Sequence, residues 1–434
     1  MIKLPLMKKI FLIICLFFFV KLNAQKLTPQ EKHIIDEINK EMPQTMQLLE
    51  QLVNINSGTH NIAGVKNVGL ILKKEFDNIG FTTEWISLPD SLKRAGHLVA
   101  HTKGKKGKKL FLIGHLDTVF EPDMEPNPYK KLSDSTATGQ GVNDMKGGDM
   151  IILSALKILY KLGLLKNTSI TAYFTGDEEK SGSPTSVSRA DFIERAKQSD
   201  IALAFEGATN LNTVATARRG SSQWQLTVTG KQAHSAGVFS TGYGSIYEAA
   251  RIINTFREEL SHEKFLTFNP GIFVGGSDIV YDSAKIQGVV SGKLNIISPI
   301  TYVQGDLRFL TEAQKNTARE KMRKIATTNN LGATSATISF ADGIPSMEPT
   351  AGNNVLVDIL NKVSTDMGIG PTNAGDPGSR GAGDISYIAK YLDCLDGLGA
   401  SGRGAHAPGE IINLKEFPIL IQRTAIFIYR LIKE

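Results

Sequence analysis

Cysteine is almost absent from this chain: Cys15 and Cys394 are the only two in 434 residues. Cys15 falls inside an N-terminal apolar run, so the remainder holds a single thiol. That excludes an intramolecular disulfide there and leaves no thiolate-rich metal site. Long apolar runs are scarce as well. The run Ile10–Val20 is roughly half of what a membrane-spanning helix needs. Internal repeats and low-complexity linkers are missing. Charge of one sign is also in short supply. The 49 Lys and Arg against 43 Asp and Glu give +6, and four of those Lys lie in the first 24 residues, leaving 45 against 43 beyond them. A nearly neutral body offers no electrostatic footprint for nucleic acid.

What is present begins with that N-terminus. Lys3, Lys8 and Lys9 precede Ile10–Val20, and Lys21-Leu22-Asn23-Ala24 follows. A basic start, a short apolar core and a small terminal residue mark a secretory signal peptide. We expect residues 1–24 to be removed after Ala24, giving a periplasmic or secreted protein without stable membrane insertion; a short N-terminal anchor is the alternative. Ile14, before Cys15, is too large for a lipid-attachment site. Without a disulfide, the exported chain must draw stability from packing, metal or oligomerisation. The cluster Lys103-Gly104-Lys105-Lys106-Gly107-Lys108-Lys109 lies between strand-like runs and reads as a solvated hairpin tip.

At 41% hydrophobic residues the chain has core for about two to three domains. Apolar residues at helical spacing predict helices over Thr28–Asn54, with Pro43 as a break or kink, and over Ala63–Ile79, capped by Gly80. Strands are expected at Phe81–Leu88, His97–Thr102, Leu110–Gly114, Ser169–Thr175 and Ile201–Phe205, with a loop over Phe120–Asn143 and a helix over Lys146–Leu162. This alternation argues for an α/β layer around a largely buried, mostly parallel sheet flanked by helices. The pattern changes near Arg219. Strand Gln223–Thr229, helix Ser245–Leu260, strands Gly271–Val280, Lys293–Ile297 and Tyr302–Leu310, helix Thr311–Thr327 and strand Ala333–Phe340 follow. That order suggests a ferredoxin-like α+β insertion. After Gly343 the first pattern returns, with helices near Val355–Met367 and Asp384–Lys390.

Five polar positions sit where a strand end or a Gly-rich loop can deliver them. Leu110–Gly114 runs into His115-Leu116-Asp117, whose i, i+2 spacing puts ring and carboxylate on one side of an extended chain. Such a pair is either a ligand with its supporting acid or an ordinary hydrogen-bonded pair. Gly139–Gly148 carries Asp144 immediately before a helix, as a ligand or as an N-cap. Strand Ile170–Thr175 ends in Gly176-Asp177-Glu178-Glu179. Adjacent carboxylates repel unless water solvates them or a cation absorbs the charge of one. Ile201–Phe205 leads to Glu206, and His406 sits in the Gly-rich run Gly402–Glu410. Ligands of open α/β sheets collect beyond the strands' carboxyl ends, so these five could converge. Two imidazoles with carboxylates and no thiolate suit zinc, with cobalt and manganese also compatible.

The ordered set H-x-D, D-x-K-G-G, E-E, a lone acid and a late His resembles the aminoacylase / glutamate carboxypeptidase family of two-metal peptidases. That family includes acetylornithine deacetylases and succinyl-diaminopimelate desuccinylases. The resemblance spans essentially the whole chain after the leader. It implies a catalytic domain in two parts, 25–218 and 342–434, interrupted by a lid/dimerisation domain at 219–341. It further implies two Zn2+ per subunit, with His115 and Glu206 on one ion, His406 and Glu179 on the other, and Asp144, joined to Met145 by a cis bond, bridging the two. Asp117 would support His115, and Glu178 would be the general base for the attacking water. Lys231-Gln232-Ala233-His234-Ser235-Ala236-Gly237 matches the family's lid histidine, so His234 is implied to stabilise the oxyanion in the other subunit of a homodimer.

Asn295 and Arg308 match residues that grip a substrate carboxylate, although Arg308 could instead pair with Asp306. Members that release glutamate carry a further arginine where this chain has Asp342; Arg380 is the candidate substitute. The implied activity is cleavage of an amide bond next to a free carboxylate in small peptides or N-acyl amino acids. A two-metal aminopeptidase or dipeptidase is a rival, against which the insertion and His234 argue. A non-catalytic binding protein on the same scaffold is a rival of another class, and the full complement of expected ligands and base argues against it.

Overall fold

The first described helix is Pro29–Val53, and Thr28 and Glu31 close its amino end as a reciprocal capping box. The computed structural model describes residues 27–433, so the expected signal peptide at 1–24 lies outside the described residues. Pro43 lies inside this helix and does not end it. Ile38 and Leu49 on either side are buried in the main core, and that packing outweighs the one hydrogen bond a proline removes. Helix Ile62–Asn78 ends as expected, with Gly80 at φ 73° just past it.

Six strands form the central sheet, in the order Thr82–Ile86, His97–His101, Thr168–Thr175, Lys106–His115, Ile201–Ala204, Asp393–Leu395. The last four pair in parallel, and only His97–His101 runs opposite to the other five strands. Alternate residues of Leu110–Ile113 enter different clusters: Leu110 and Leu112 face the helices of the main core, Phe111 and Ile113 face Tyr173 and Phe192. The sheet is therefore covered on both sides, as its continuous apolar strands require. One expectation is corrected. The lysine-rich segment is no hairpin tip, because Thr168–Thr175 lies between the strands it joins. It crosses the start of that strand, and Lys105 donates its N–H to the Asn167 carbonyl at 2.8 Å.

Helices Pro29–Val53, Lys146–Lys161, Ala351–Asp366 and Phe417–Lys433 share the main core. The last was not anticipated, although its apolar residues bury almost all of its circumference. The expected helix Asp384–Lys390 is a single 3-10 turn, Asp384–Tyr387. Within the expected loop 120–143, Lys130–Lys131 and Thr136–Thr138 join Ile411–Asn413 and Gly402–Arg403 in a small sheet.

The insertion forms a four-stranded antiparallel sheet ordered Thr267–Gly276, Ile300–Phe309, Gly220–Gly230, Thr334–Asp342, with helices Gly244–Leu260 and Glu312–Thr327. This is the ferredoxin-like order. Its separate core centres on Trp224, whose ring meets Phe256 edge-on at 5.9 Å. Lys293–Ile297 is not a strand: its only ladder contact is the isolated bridge of Ile296 to His234, and Leu294 is fully exposed. The expected strand Gly271–Val280 instead breaks at Ser277, and Asp278–Asp282 pairs with Gln287–Ser291 as an exposed hairpin. Among the described residues no helix is long and apolar enough to cross a membrane.

Candidate metal centre

Parallel pairing brings the acid-bearing strand ends together. His115 closes its strand opposite Thr175, and Ile113 lies opposite Ala204, so the turns carrying Glu178, Glu179 and Glu206 leave the sheet on the same side as His115. Asp144 arrives from the loop before helix Lys146–Lys161. Met145, not Asp144, is the N-cap, and the Asp144–Met145 peptide bond is cis. The Asp144 carboxylate stands among the cluster's donors and does not cap the helix.

Two ligand triads result, and they share Asp144: His115, Asp144 and Glu206 form one, Asp144, Glu179 and His406 the other, with the potential ligand atoms of each within 4.8 Å of one another. His115 Nε2 stands 3.3 Å from Asp144 Oδ1 and 3.9 Å from Glu206 Oε1. His406 Nε2 stands 3.0 Å from Asp144 Oδ2 and 3.4 Å from Glu179 Oε2. Nδ1 of His115 is 3.0 Å from the Asp117 carbonyl and 3.6 Å from its carboxylate, which leaves Nε2 to face the cluster. Glu178 belongs to neither triad.

Electrostatics show what these donors lack. Loss of water pushes Glu179 up to about 9, with His115 pulling down and Asp144 repelling. The same loss, with Asp144 again repelling, pushes Glu206 up to about 7. Glu178 is raised well above the usual carboxylate range by its enclosure and by the charge of Glu206. Burial also acts to raise Asp144, but hydrogen bonds from His115 and His406 outweigh it and hold the group low. Oε1 of Glu179 is buried without a hydrogen-bond partner. Arg218, the cation beside Glu206 at 4.0 Å, is already committed to Asp396 at 2.8 Å. Two imidazoles and three carboxylates, one of them carrying an orphaned buried oxygen, fit a pair of divalent cations such as zinc.

Several supporting residues were not singled out in the sequence. Arg218 sits at the change of pattern near Arg219, a doublet that carries no motif of its own. Glu410, within the run around His406, accepts the N–H groups of Gly141, Asn143 and Asp144. Thr59 donates its hydroxyl to Asp117 at 2.6 Å.

The remaining expected residues lie on the insertion or beside the Glu206 turn. His234 is exposed, and its Nδ1 accepts the Ala236 N–H at 3.2 Å. Asn295 is next to it, its carbonyl accepting the Ser235 N–H at 2.9 Å. Neither is brought to the metal cluster of its own chain. Arg308 makes the alternative pairing, with Nε 2.8 Å from Asp306. Arg380 donates to the Gly207 carbonyl, immediately after Glu206, and lies 3.5 Å from Asp396. Asp342 is occupied by Arg319 at 2.6 Å and Lys315 at 3.2 Å, which ties it to its own domain.

Residues 111–430 match the model for Peptidase family M20/M25/M40. The chain belongs to this family. The M20 match makes it a metal-dependent peptidase or amidohydrolase with carboxypeptidase-like relatives. Carboxypeptidase G2 from Pseudomonas sp. is 28% identical over 382 residues, covering 87% of each chain. Succinyl-diaminopimelate desuccinylase from Polynucleobacter necessarius is 27% identical over 296 residues, 65% of this chain and 74% of that one. Among solved M20 structures, a tripeptidase from Staphylococcus aureus aligns with a TM-score of 0.68 at 20% identity, covering 90% of this chain and 98% of its own. An M20 family metallo-carboxypeptidase from Sulfolobus solfataricus aligns at 0.63 and 17% identity, covering 90% and 99%. These structures share the catalytic-plus-inserted-domain α/β fold expected from the sequence.

Proposed function

We propose that this M20 protein is an exported, carboxypeptidase-like hydrolase that uses two zinc ions. It cleaves an amide bond next to a free carboxylate in small peptides or N-acyl amino acids. The observation that carries this is the meeting of two His–carboxylate triads at Asp144 with a further carboxylate, Glu178, left outside both. His115 and Glu206 would hold one ion, His406 and Glu179 the other, and Asp144 both. When bound, such ions polarise a carbonyl and acidify a water between them.

The chain's own groups complete the chemistry. Asp117 accepts the N–H groups of Glu178 and Glu179 at 3.0 and 3.1 Å, fixing the turn on which the base stands. Glu178 takes a proton from the attacking water and returns it to the leaving amine. His234, exposed on the inserted domain, stabilises the oxyanion in a second copy, which makes the working form a homodimer. Asn295 and Arg308 grip the substrate carboxylate once Arg308 exchanges Asp306 for it, and Arg380 lines the Glu206 side. The carboxypeptidase relatives support this choice of bond. Export rests on the leader at residues 1–24.

Glu178→Gln keeps the shape of the side chain and removes the base. Turnover of N-acyl amino acids and dipeptides should fall by about 10²–10⁴-fold with zinc content unchanged. Undiminished turnover overturns the base, and cleavage of substrates with blocked carboxyl ends but not blocked amino ends overturns the carboxypeptidase assignment.

A further inference from the structure

Glu178 and Glu179 stand on a short turn after strand Thr168–Thr175, with like charges side by side. Left alone, such a turn would splay its carboxylates into water. Asp117 holds it from the cluster side. Something must hold it from behind.

That support is Arg189, fully buried at the end of a short helical turn. Its Nη1 lies 2.5 Å from Asp177 Oδ1, and its Nη2 donates to the Asp177 carbonyl at 3.1 Å and to Ser181 Oγ at 3.2 Å. Its Nε reaches Asp384 Oδ1 at 2.7 Å. The other oxygen of Asp384 accepts the Thr175 hydroxyl at 2.6 Å. The other oxygen of Asp177 accepts the Gly182 N–H at 2.8 Å. One guanidinium therefore fastens the turn at Thr175, Asp177, Ser181 and Gly182, on both sides of the two glutamates. His97 adds a neutral brace, accepting the Gly176 N–H at 3.2 Å while its Nε2 meets the Ser188 carbonyl at 3.0 Å.

The geometry requires arginine. Three nitrogens of a planar fork address two carboxylates, a carbonyl and a hydroxyl at once, whereas a lysine offers a single ammonium. The Asp177 carboxylate is spent on Arg189, Ser188 and Gly182 and joins neither ligand triad. Only the next two carboxylates of the run remain to face the cluster.

We propose that Arg189 is a positioning residue for catalysis: by spanning Asp177 and Asp384 it holds the turn 175–182 on which Glu178 stands. This rests on Glu178 being the base. Arg189 touches no ligand atom, so its effect is transmitted through the turn.

The test is a double-mutant cycle of Arg189→Lys and Glu178→Gln. Arg189→Lys should lower kcat per zinc-loaded molecule about a hundredfold, the scale of a roughly 1 Å misplacement, while KM stays at the wild-type value. In the Glu178→Gln background the same change should lower residual turnover no further, since both act through one group. Multiplying losses in the double variant would mark Arg189 as merely structural and overturn the proposal. The unfolding temperature of the metal-free protein is recorded for each variant, and kcat is read per zinc-loaded molecule. Should Arg189→Lys fail to fold, Asp384→Asn decides, because it keeps the side-chain shape while weakening the grip of Arg189; an undiminished kcat there overturns the proposal. Full activity in Glu178→Gln would overturn the base assignment instead. A dead Glu178→Gln beside a fully active Arg189→Lys would overturn only the role of Arg189.

Discussion

The carboxylate of Glu410 accepts the backbone N–H of Asp144 at 2.8 Å. The loop that carries His406 thereby anchors the loop that carries the shared carboxylate, and the same Glu410 also takes the N–H groups of Asn143 at 2.6 Å and Gly141 at 3.2 Å. Glu410→Gln replaces one accepting oxygen with a donor, so at least one of those N–H groups loses its partner. Metal affinity should fall about tenfold to a hundredfold, as for other residues that orient ligands from behind. Competition with a chromophoric chelator measures it, and unchanged affinity would remove Glu410 from the support of the site.

Gly148 tests why two glycines follow Lys146. A Cβ built there would lie 2.0 Å from the Phe205 carbonyl oxygen, immediately before Glu206. Both partners are backbone, so neither can swing aside. Gly148→Ala should push helix Lys146–Lys161 off the strand end and weaken the His115–Glu206 half of the site more than the half held by His406 and Glu179. Stepwise zinc titration would show one tight and one weakened equivalent. Gly381, whose Cβ would meet nothing within 4 Å, is the control, and Gly381→Ala should stay within about 0.5 kcal/mol of wild type.

Chelation should destabilise the protein as well as inactivate it. Asp144, Glu179 and Glu206 crowd around two imidazoles, and Glu179 Oε1 is buried without a partner. Stripping the cations leaves that repulsion uncompensated, so the unfolding temperature should drop on treatment with chelator and return on adding zinc. An unfolding temperature indifferent to both would speak against the two-ion site.

Acid sensitivity should include a contribution far from the site. Burial acts to raise Glu31, but Arg430 at 2.7 Å and the capping hydrogen bonds of Thr28 outweigh it and lower the group from 4.5. Because the folded value is the lower one, this contribution is present above pH 4.5 and fades as pH falls through the folded value. Glu31→Ala should therefore destabilise by about 1 kcal/mol at neutral pH, the scale of a lost cap. Denaturation curves at a series of pH values should show the gap from wild type narrowing on acidification; a gap independent of pH would rule out the Arg430 pairing as its source.

The ligand positions were legible because each follows a local signal: an apolar strand such as Leu110–Gly114 that stops at His115, or glycines around Asp144 and His406. The alternation of strand and helix likewise announced the sheet, and the change near Arg219 announced the insertion. Elements without such punctuation were misjudged. Lys293–Ile297 has apolar residues at strand-like spacing, yet only Ile297 among them is buried, because both sides of Gly220–Gly230, the strand that leads to its one bridge partner His234, are already taken by Ile300–Phe309 and Thr334–Asp342. The lysine-rich crossing could not be told from a hairpin, since nothing in Lys103–Lys109 records which strand lies between its ends.

Residue order and type by themselves placed the candidate donors His115, Asp144, Glu179, Glu206 and His406, with Glu178 beside them, at strand ends and Gly-rich loops, and the resemblance those residues carry supplied their expected roles. The family resemblance already implied that Asp144 is shared and that Glu178 stands apart; tertiary structure alone decided that the two triads close within ligand reach, that Glu410 anchors the Asp144 loop and that Asp177 pairs with Arg189. Those outcomes depend on parallel strand register and on pairings between segments far apart in the chain, and period and propensity carry information about near neighbours only.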